Sequence, residues 1–424
     1  MFRSARTMRL LVVLFLLLPF VSACRSEPPP PAEVTIGVIY PFSGSLEATG
    51  ADIRHGIELA VEIINGEFKL EMPLAWTAGL PNLRGAKVKV IYADHAGDPD
   101  QGVEAARRLI EEEKVVALVG CYNSSVTAPV SQVAEAASVP FLNPDSTSPT
   151  LTQRGFRWFF RTTADDAIFV RNFFDFLADL QQERGIALGS VAIVYENTLF
   201  GTGVGQLERR YAQEAGLKVV ADVPYSANAT SVEAEVQRII ASGASLVMQS
   251  SYAQDAILYM QTYKAMGYRP QALLAMDAGF ISPVFIETLG DDANYILSRE
   301  VWAPDLGETR PLIRQVNTLF RGRYGTNMTG NSARAFTGLI VLADAINRAG
   351  STEPEAIRQA LLETDIPAEQ LIMPWKGVRF DSETGQNTLA QGIIVQIQDR
   401  AYYTVWPWDL ATRELIWPMP DWEE

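Results

Sequence analysis

Histidine and cysteine are nearly missing from these 424 residues, with two of each. His55 and His95 are too few for most histidine-based zinc sites or imidazole acid–base machinery. That thins the enzymatic options without closing them. Cys24 and Cys121 are the only thiols. If Cys24 is used elsewhere, Cys121 stands alone and no internal disulfide can form. The folded body must then be held by its apolar cores. Positive charge is also short: 35 Lys and Arg against 50 Asp and Glu leave −15. No basic stripe occurs along the chain, and an acidic body repels nucleic acid. Beyond the first 32 residues no apolar run approaches the ~20 residues that a bilayer requires.

What is present begins with a leader. Arg3, Arg6 and Arg9 precede an apolar run from Leu10 to Phe20, followed by Val21-Ser22-Ala23-Cys24. A basic start, a short greasy core and small residues before a cut make a secretory signal peptide over 1–23. Ending on Val-Ser-Ala-Cys resembles the bacterial lipoprotein box, which implies an acylated Cys24 as the new first residue. Glu27 to Pro31 then forms a stiff extended leash within a linker over 24–32. Loss of the three leader arginines takes the net charge from −15 to −18. The expected location is outside the cytoplasmic membrane, held there by lipid alone.

The remaining body of about 400 residues is too long for one compact core, so two lobes are expected. From Val34 strands and helices alternate. Strands are predicted at Val34–Tyr40, Lys87–Tyr92, Val115–Val119 and Pro140–Leu142. Helices are predicted near Ala51–Ile64, Pro99–Glu113 and Ser125–Ala137. After a helix over about Asp165–Leu180 the rhythm repeats, with strands at Ser190–Tyr195, Leu217–Val223, Ser245–Gln249 and Ala272–Met276. Helices at Leu199–Ala215, Val232–Ala241 and Ala253–Met266 lie between them. Three more helices (Pro311–Tyr324, Ala333–Ala349, Pro354–Glu363) and strands near Gly377–Phe380, Gly392–Gln398 and Tyr402–Val405 complete the chain. Alternation of this kind predicts an α/β protein, two doubly wound lobes with parallel sheets and helices on both faces. Gly66–Gly85 is an irregular insertion expected on the surface.

Ligands of open α/β sheets sit beyond the carboxyl ends of the strands. The loops there share a chemistry. Gly120-Cys-Tyr-Asn-Ser-Ser125 opens a helix, with Ser124 and Ser125 at N-cap positions and free N–H groups suited to an anion. Asn143-Pro-Asp-Ser-Thr-Ser148 brings more hydroxyls. In the second series Ser250-Ser-Tyr252 follows one strand and Asp277 another, where a carboxylate suits an ammonium group. Each loop alone is equally an ordinary cap or turn.

Taken in order and spacing, several segments resemble the periplasmic binding proteins of the branched-chain amino acid and amide uptake systems, the Leu/Ile/Val-binding type. They are Ile39-Tyr-Pro-Phe-Ser-Gly44, Tyr92-Ala-Asp-His-Ala-Gly-Asp-Pro99, Gly120 to Thr127, Asn143 to Pro149, Phe160-Arg-Thr-Thr163, and Val191 to Tyr195 with Phe200-Gly201. The resemblance spans Val34 to Pro407. It implies type I architecture: Rossmann-like lobes joined by a three-strand hinge, lobe one being 33–164 plus 303–388 and lobe two 165–302 plus 389–424. It implies a monomer that binds a small ligand between the lobes and delivers it to an ABC permease, with no catalysis, cofactor or metal. Carried over by position, Ser124 and Thr147 bind a ligand carboxylate, helped by main-chain groups near Ser146. Tyr252 and Asp277 approach from the other lobe, Asp277 holding an ammonium. Phe200 stacks, and Thr49 and Tyr122 line the pocket. The chain departs from the pattern in lacking the disulfide near Gly97 and Asn123, and in having Asp277 where founding members have Glu. Asn123 and Asn331 replace more apolar residues. An amino acid or close relative is therefore expected in preference to leucine specifically.

Three rival readings follow. One keeps the fold but makes it a sensor of an amino acid or amide, reporting to a receptor. Another replaces the amino acid with a urea or short amide, whose N–H would donate to Asp277. The third is an exported enzyme, resting on Gly201-Thr-Gly-Val-Gly205 or on a nucleophilic Cys121. The glycines lack the dinucleotide spacing and fit a helix opening better, and Cys121 fits a core thiol.

Overall fold

The computed structural model describes residues 32–422. The leader, Cys24 and most of the proline leash lie outside the described residues. Two large sheets organise the rest. The first is wholly parallel, in the order β2-β1-β3-β4-β5. Its strands are β1 (Glu33–Tyr40), β2 (Lys87–Asp94), β3 (Ala117–Gly120), β4 (Phe141–Asn143) and β5 (Phe159–Arg161). Between them run α1 (Glu47–Asn65), α2 (Pro99–Glu111) and α3 (Ser124–Ala137). Local signals set these boundaries. Asp98 caps α2 by accepting from the N–H groups of Asp100 and Gln101 at 2.8 and 3.0 Å, with Pro99 at the first helical position.

The chain leaves the first sheet through α4 (Asp166–Arg184). Asp165 accepts from the Ile168 N–H at its start, and Gly185, in the left-handed region, ends it. The second sheet then forms from β6 (Val191–Glu196), β7 (Val219–Tyr225), β8 (Leu246–Ser250), β9 (Ala272–Ala275) and β10 (Leu297–Glu300). Helices α5 (Leu199–Glu214), α6 (Glu233–Ser242), α7 (Ala253–Ala265) and α8 (Pro283–Leu289) intervene. Strands β6, β8 and β9 are apolar almost throughout and fully buried, as covering on both faces requires.

From β10 the chain returns to the first sheet with α9 (Pro311–Tyr324), α10 (Gly330–Ala349) and α11 (Pro354–Leu362). Helix α10 packs along α1. They come so close at Gly56 that a Cβ there would lie 2.3 Å from the Ser332 carbonyl oxygen. A two-stranded ladder, β11 (Ile366–Pro367) and β12 (Gly377–Val378), follows. The chain then crosses a third time: β13 (Ile393–Gln398) adds antiparallel to β10, and β14 (Ala401–Trp406) adds antiparallel to β13. The second sheet thus runs β14-β13-β10-β9-β8-β6-β7.

Strands β5, β10 and β11 are the three the sequence reading missed. Each is short, and β10 reads Leu-Ser-Arg-Glu, half charged, with both charges buried. The insertion at 66–85 also differs from expectation. It has little regular structure, but Leu70, Met72, Ala75, Leu80 and Leu83 turn inward and join the main apolar core. Only Trp76 in this stretch stays out as a large exposed apolar group. Its leucine and methionine content is what folds it back. Gly201 to Gly205 lie inside α5, and Cys121 is buried in the apolar cluster around β3 and α3.

Candidate functional site

In each sheet one strand has out-of-order neighbours: β1 lies between β2 and β3, and β6 between β7 and β8. Loops beyond the carboxyl ends part at these switch points and leave a crevice. The two sets of loops face each other here. Between them lies a pocket lined by Tyr122, Ser124, Asp145, Thr147, Phe200, Tyr252, Asp277, Ala278, Arg299 and Arg334.

Six of the eight expected ligand residues therefore lie around one cavity. Ser124 is the first residue of α3 and Asn123 is its N-cap, one position earlier than the sequence suggests. The first N–H groups of a helix have no partner within it, and the start of α3 lies at the pocket through Ser124, an arrangement whose chemistry suits an anion. The Ser124 hydroxyl accepts from the Ser148 N–H at 3.3 Å, which ties the β3 loop to the β4 loop. Tyr252 forms the middle of an aromatic wall, its ring 5.9 Å from Tyr122 and 5.7 Å from Phe200.

Ser146 and Thr49 lie elsewhere. The Ser146 hydroxyl is buried on the carbonyls of Cys121 and Tyr122 at 2.6 and 3.0 Å, bracing the loop below the pocket. Thr49 Oγ1 lies 3.3 Å from Ser282 Oγ, joining α1 to the start of α8 across the gap between the sheets. A second such link joins Ser45 Oγ to Asn228 Oδ1 at 2.9 Å.

Asp277 sits in a demanding backbone. It has φ 51° and ψ −131°, and Ala278 follows at φ 49°. Consecutive non-glycine residues at positive φ cost ~1–3 kcal/mol each and persist only where packing holds them. The next residue shows how: a Cβ on Gly279 would lie 2.4 Å from the Tyr252 carbonyl carbon. The loop is pressed flat against Tyr252, and the Asp277 carboxylate enters the cleft.

Its partners are the part that sequence reasoning missed. Arg299 from β10 and Arg334 from α10 both donate to Asp277 Oδ2, Arg334 at 2.8 Å. Arg334 Nε also lies 3.4 Å from Asp145 Oδ1, and the Tyr40 hydroxyl donates to the other Asp145 oxygen at 2.5 Å. The Arg299 guanidinium stacks 3.6 Å over the Phe169 ring and reaches Asp166 at 4.0 Å. All of these groups are nearly inaccessible. Burial pushes Asp145 and Asp166 up to about 6 and Glu300 up to about 8, the last also through the charge on Asp277. Burial works against Arg334, yet Asp277 and Asp145 raise it above the ordinary guanidinium value. Glu300 is thus largely protonated near neutrality, while the two arginines and Asp277 form a charged knot.

Arg334 had one available signal: it is the lone cation in the buried first half of a helix that is apolar on every side. Arg299 had none, because its strand was not recognised. Asp145 lay within a stretch noted for its hydroxyls.

This architecture and interlobe crevice define a class. The chain belongs to the family described as Periplasmic binding protein, which its sequence matches over residues 33–401. It is 29% identical over 401 residues to Leu/Ile/Val-binding protein homolog 7 of Brucella suis, covering 92% of this chain and 95% of that one. Homolog 8 of Brucella abortus is 30% identical over 396 residues, with 91% and 93% covered. Among solved structures, a leucine-binding protein of Thermotoga maritima superposes with TM-score 0.75 at 20% identity, over 89% of this chain and 99% of that one. A branched-chain amino acid transporter substrate-binding protein of Streptococcus pneumoniae, in complex with isoleucine, gives 0.73 at 19%, over 88% and 99%. Both share the type I two-lobed fold. The family is one of binding proteins, and it places the protein outside the cytoplasm. Among the described residues no helix is long and apolar enough to cross a membrane.

Proposed function

We propose that this protein is an extracytoplasmic solute-binding lipoprotein that captures an amino acid or a close relative and hands it to an ABC permease. One observation carries the reading: a single pocket is lined by Ser124 and Thr147 from loops of the first sheet and by Phe200, Tyr252 and Asp277 from loops of the second. The lobes are the two sheets with their helices, 33–164 plus 303–388 and 165–302 plus 389–424. Cys24 anchors the chain by its lipid, and the protein acts as a monomer.

The ligand carboxylate sits at the start of α3, on Ser124, Thr147 and the exposed N–H groups. Its hydrocarbon lies against Tyr252 and Phe200. Asp277 Oδ1 faces a ligand N–H. Closure buries these charge-assisted bonds and presents one shape to the permease. A micromolar affinity needs about −8 kcal/mol, which a few such bonds plus stacking supply.

The test is a thermal-shift screen against the common amino acids, small amides and small acids, with calorimetry on each hit. A ligand that binds only the native form raises the melting temperature by mass action. At least one α-amino acid should do so. A response to none of them overturns the amino-acid reading. A response confined to urea or short amides supports the alternative in which Asp277 accepts from an amide N–H. One feature favours that alternative: the charge on Asp277 is already shared by two guanidiniums.

A further inference from the structure

We propose that the charged end of the pocket selects an uncharged hydrogen-bonding group on the ligand, a carboxamide, with Arg334, Asp145 and Asp277 as the selecting residues. This rests on the reading of the cleft as an amino-acid site and names the kind of side chain it takes.

Three atoms carry the argument. Asp277 Oδ1, Asp145 Oδ1 and Arg334 Nε are buried and have no hydrogen-bond partner. Their residues are at most 4% exposed, and all three line the pocket. The other side-chain polar atoms of these three residues are engaged. Asp277 Oδ2 takes both guanidiniums, the second Asp145 oxygen takes Tyr40, and Arg334 Nη2 donates to Asn331 Oδ1 at 2.5 Å. Two acceptors and one donor are left without a hydrogen bond on residues that line the same cavity, Arg334 Nε and Asp145 Oδ1 lying 3.4 Å apart.

The charges decide what satisfies them. Arg299 and Arg334 supply two positive charges, answered by Asp277, by Asp145 and, 4.0 Å from Arg299, by Asp166. No cation is left without a carboxylate, so the cluster offers a ligand anion no free counter-charge. A second carboxylate on the ligand would face Asp145 and Asp277. A second ammonium would face both guanidiniums and could not accept from Arg334 Nε. An aliphatic side chain would exclude water and leave three polar atoms stranded, one of them on a cation and two on anions. A carboxamide fits every term. Its oxygen accepts from Arg334 Nε, and its NH2 donates to Asp145 Oδ1 and Asp277 Oδ1. The group is neutral and adds no charge to the cluster. Asparagine and glutamine are the amino acids that carry it.

Two sets of near-isosteres test this by calorimetry on the purified full-length protein: L-asparagine against L-leucine and L-aspartate, and L-glutamine against L-methionine and L-glutamate. One amide should bind roughly 10-fold or more tightly than both of its isosteres, because a site built for hydrogen bonds rejects analogues that leave it unpaired. Leucine or methionine binding as tightly as the amide overturns the inference and leaves the amino-acid reading standing. So does preference for aspartate or glutamate. Binding of none of the six also overturns it, and the wider screen then decides whether any amino acid is a ligand. In a second arm, Arg334→Met should cut the amide-to-aliphatic ratio by roughly 10-fold, with Arg334→Lys between it and the parent. An unchanged ratio in a folded Arg334→Met protein overturns the role of Arg334. The comparison on the parent protein stands even if that variant fails to fold.

Discussion

The two ends of the cleft solve opposite problems. At the α3 end the protein offers only neutral groups, the hydroxyls of Ser124 and Thr147 and the N–H groups of a helix start. At the Asp277 end it buries four charged side chains from strands, loops and helices far apart in sequence. A neutral end can receive a ligand charge without competition from a resident ion. The charged end has already answered its own charges, and what remains there is directional hydrogen bonding. Desolvation makes an incomplete charged end costly, whereas a neutral end loses little beyond its ligand contacts.

That contrast breaks most sharply at Asp277. Asp277→Ala leaves two buried guanidiniums facing one another. It should destabilise the protein by ~3–5 kcal/mol, read by chemical denaturation without ligand, and also weaken ligand binding. A loss below about 1 kcal/mol would mean that the knot is not the buried ion cluster described here. Ser124→Ala is the converse. Stability should fall by no more than about 0.5–1.5 kcal/mol, the worth of the long bond from the Ser148 N–H, while affinity falls by about 1.5–3 kcal/mol, the worth of a hydrogen bond to a charged group. Calorimetry beside a denaturation curve separates the two outcomes, and equal losses in both would erase the distinction between the ends.

Away from both ends, two hydroxyl contacts join the halves, Thr49 to Ser282 and Ser45 to Asn228. Thr49→Val keeps the volume and removes the hydroxyl that meets Ser282. It should cost about 0.5–1.5 kcal/mol of the closed form, seen as a larger radius of gyration in solution scattering without ligand. No change would place closure under the control of the charged knot and the Ser45–Asn228 contact.

The smallest effect is on pH. Asp52, Asp145 and Asp166 are lifted by burial from 3.8 to about 6, and Glu300 from 4.5 to about 8. Acids raised in the folded state hold their protons more tightly there. The stability they contribute is full below their unfolded values and is lost as pH rises through 6 and then 8. His95, lowered by burial from 6.5 to about 4, opposes them as pH falls below 6.5. Burial also raises Asp175, Glu196, Glu208, Asp255 and Asp305 and lowers His55, so the raised acids outnumber the lowered histidines and the melting temperature should be a few degrees higher at pH 5.5 than at pH 8.5. Asp145→Asn should flatten that slope; a melting temperature that rises with pH would contradict the burial of the knot.

Much of this was legible from residues alone. Apolar strands bounded by turn residues gave β1, β3, β6, β8 and β9 nearly to the residue, because a doubly covered strand has a composition that little else shares. The loops after β3, β4, β8 and β9 pointed to Ser124, Thr147, Tyr252 and Asp277, since ligand sites of such sheets occur at predictable places, and Phe200 came from the family resemblance. Ser146 and Thr49 lay on the same loops and helices, but their hydroxyls are consumed by the scaffold. Which hydroxyl is free depends on a neighbour that no local pattern names.

Sequence order, then, determined the alternation of strands and helices and the loops that line the cleft, because periodicity and turn chemistry are local properties. Tertiary structure alone decided that Arg299, on a strand without a strand's composition, and Arg334, on a helix 57 residues beyond Asp277, would close on one carboxylate. Electrostatic partnership acts through space and desolvation, and neither leaves a period in the chain.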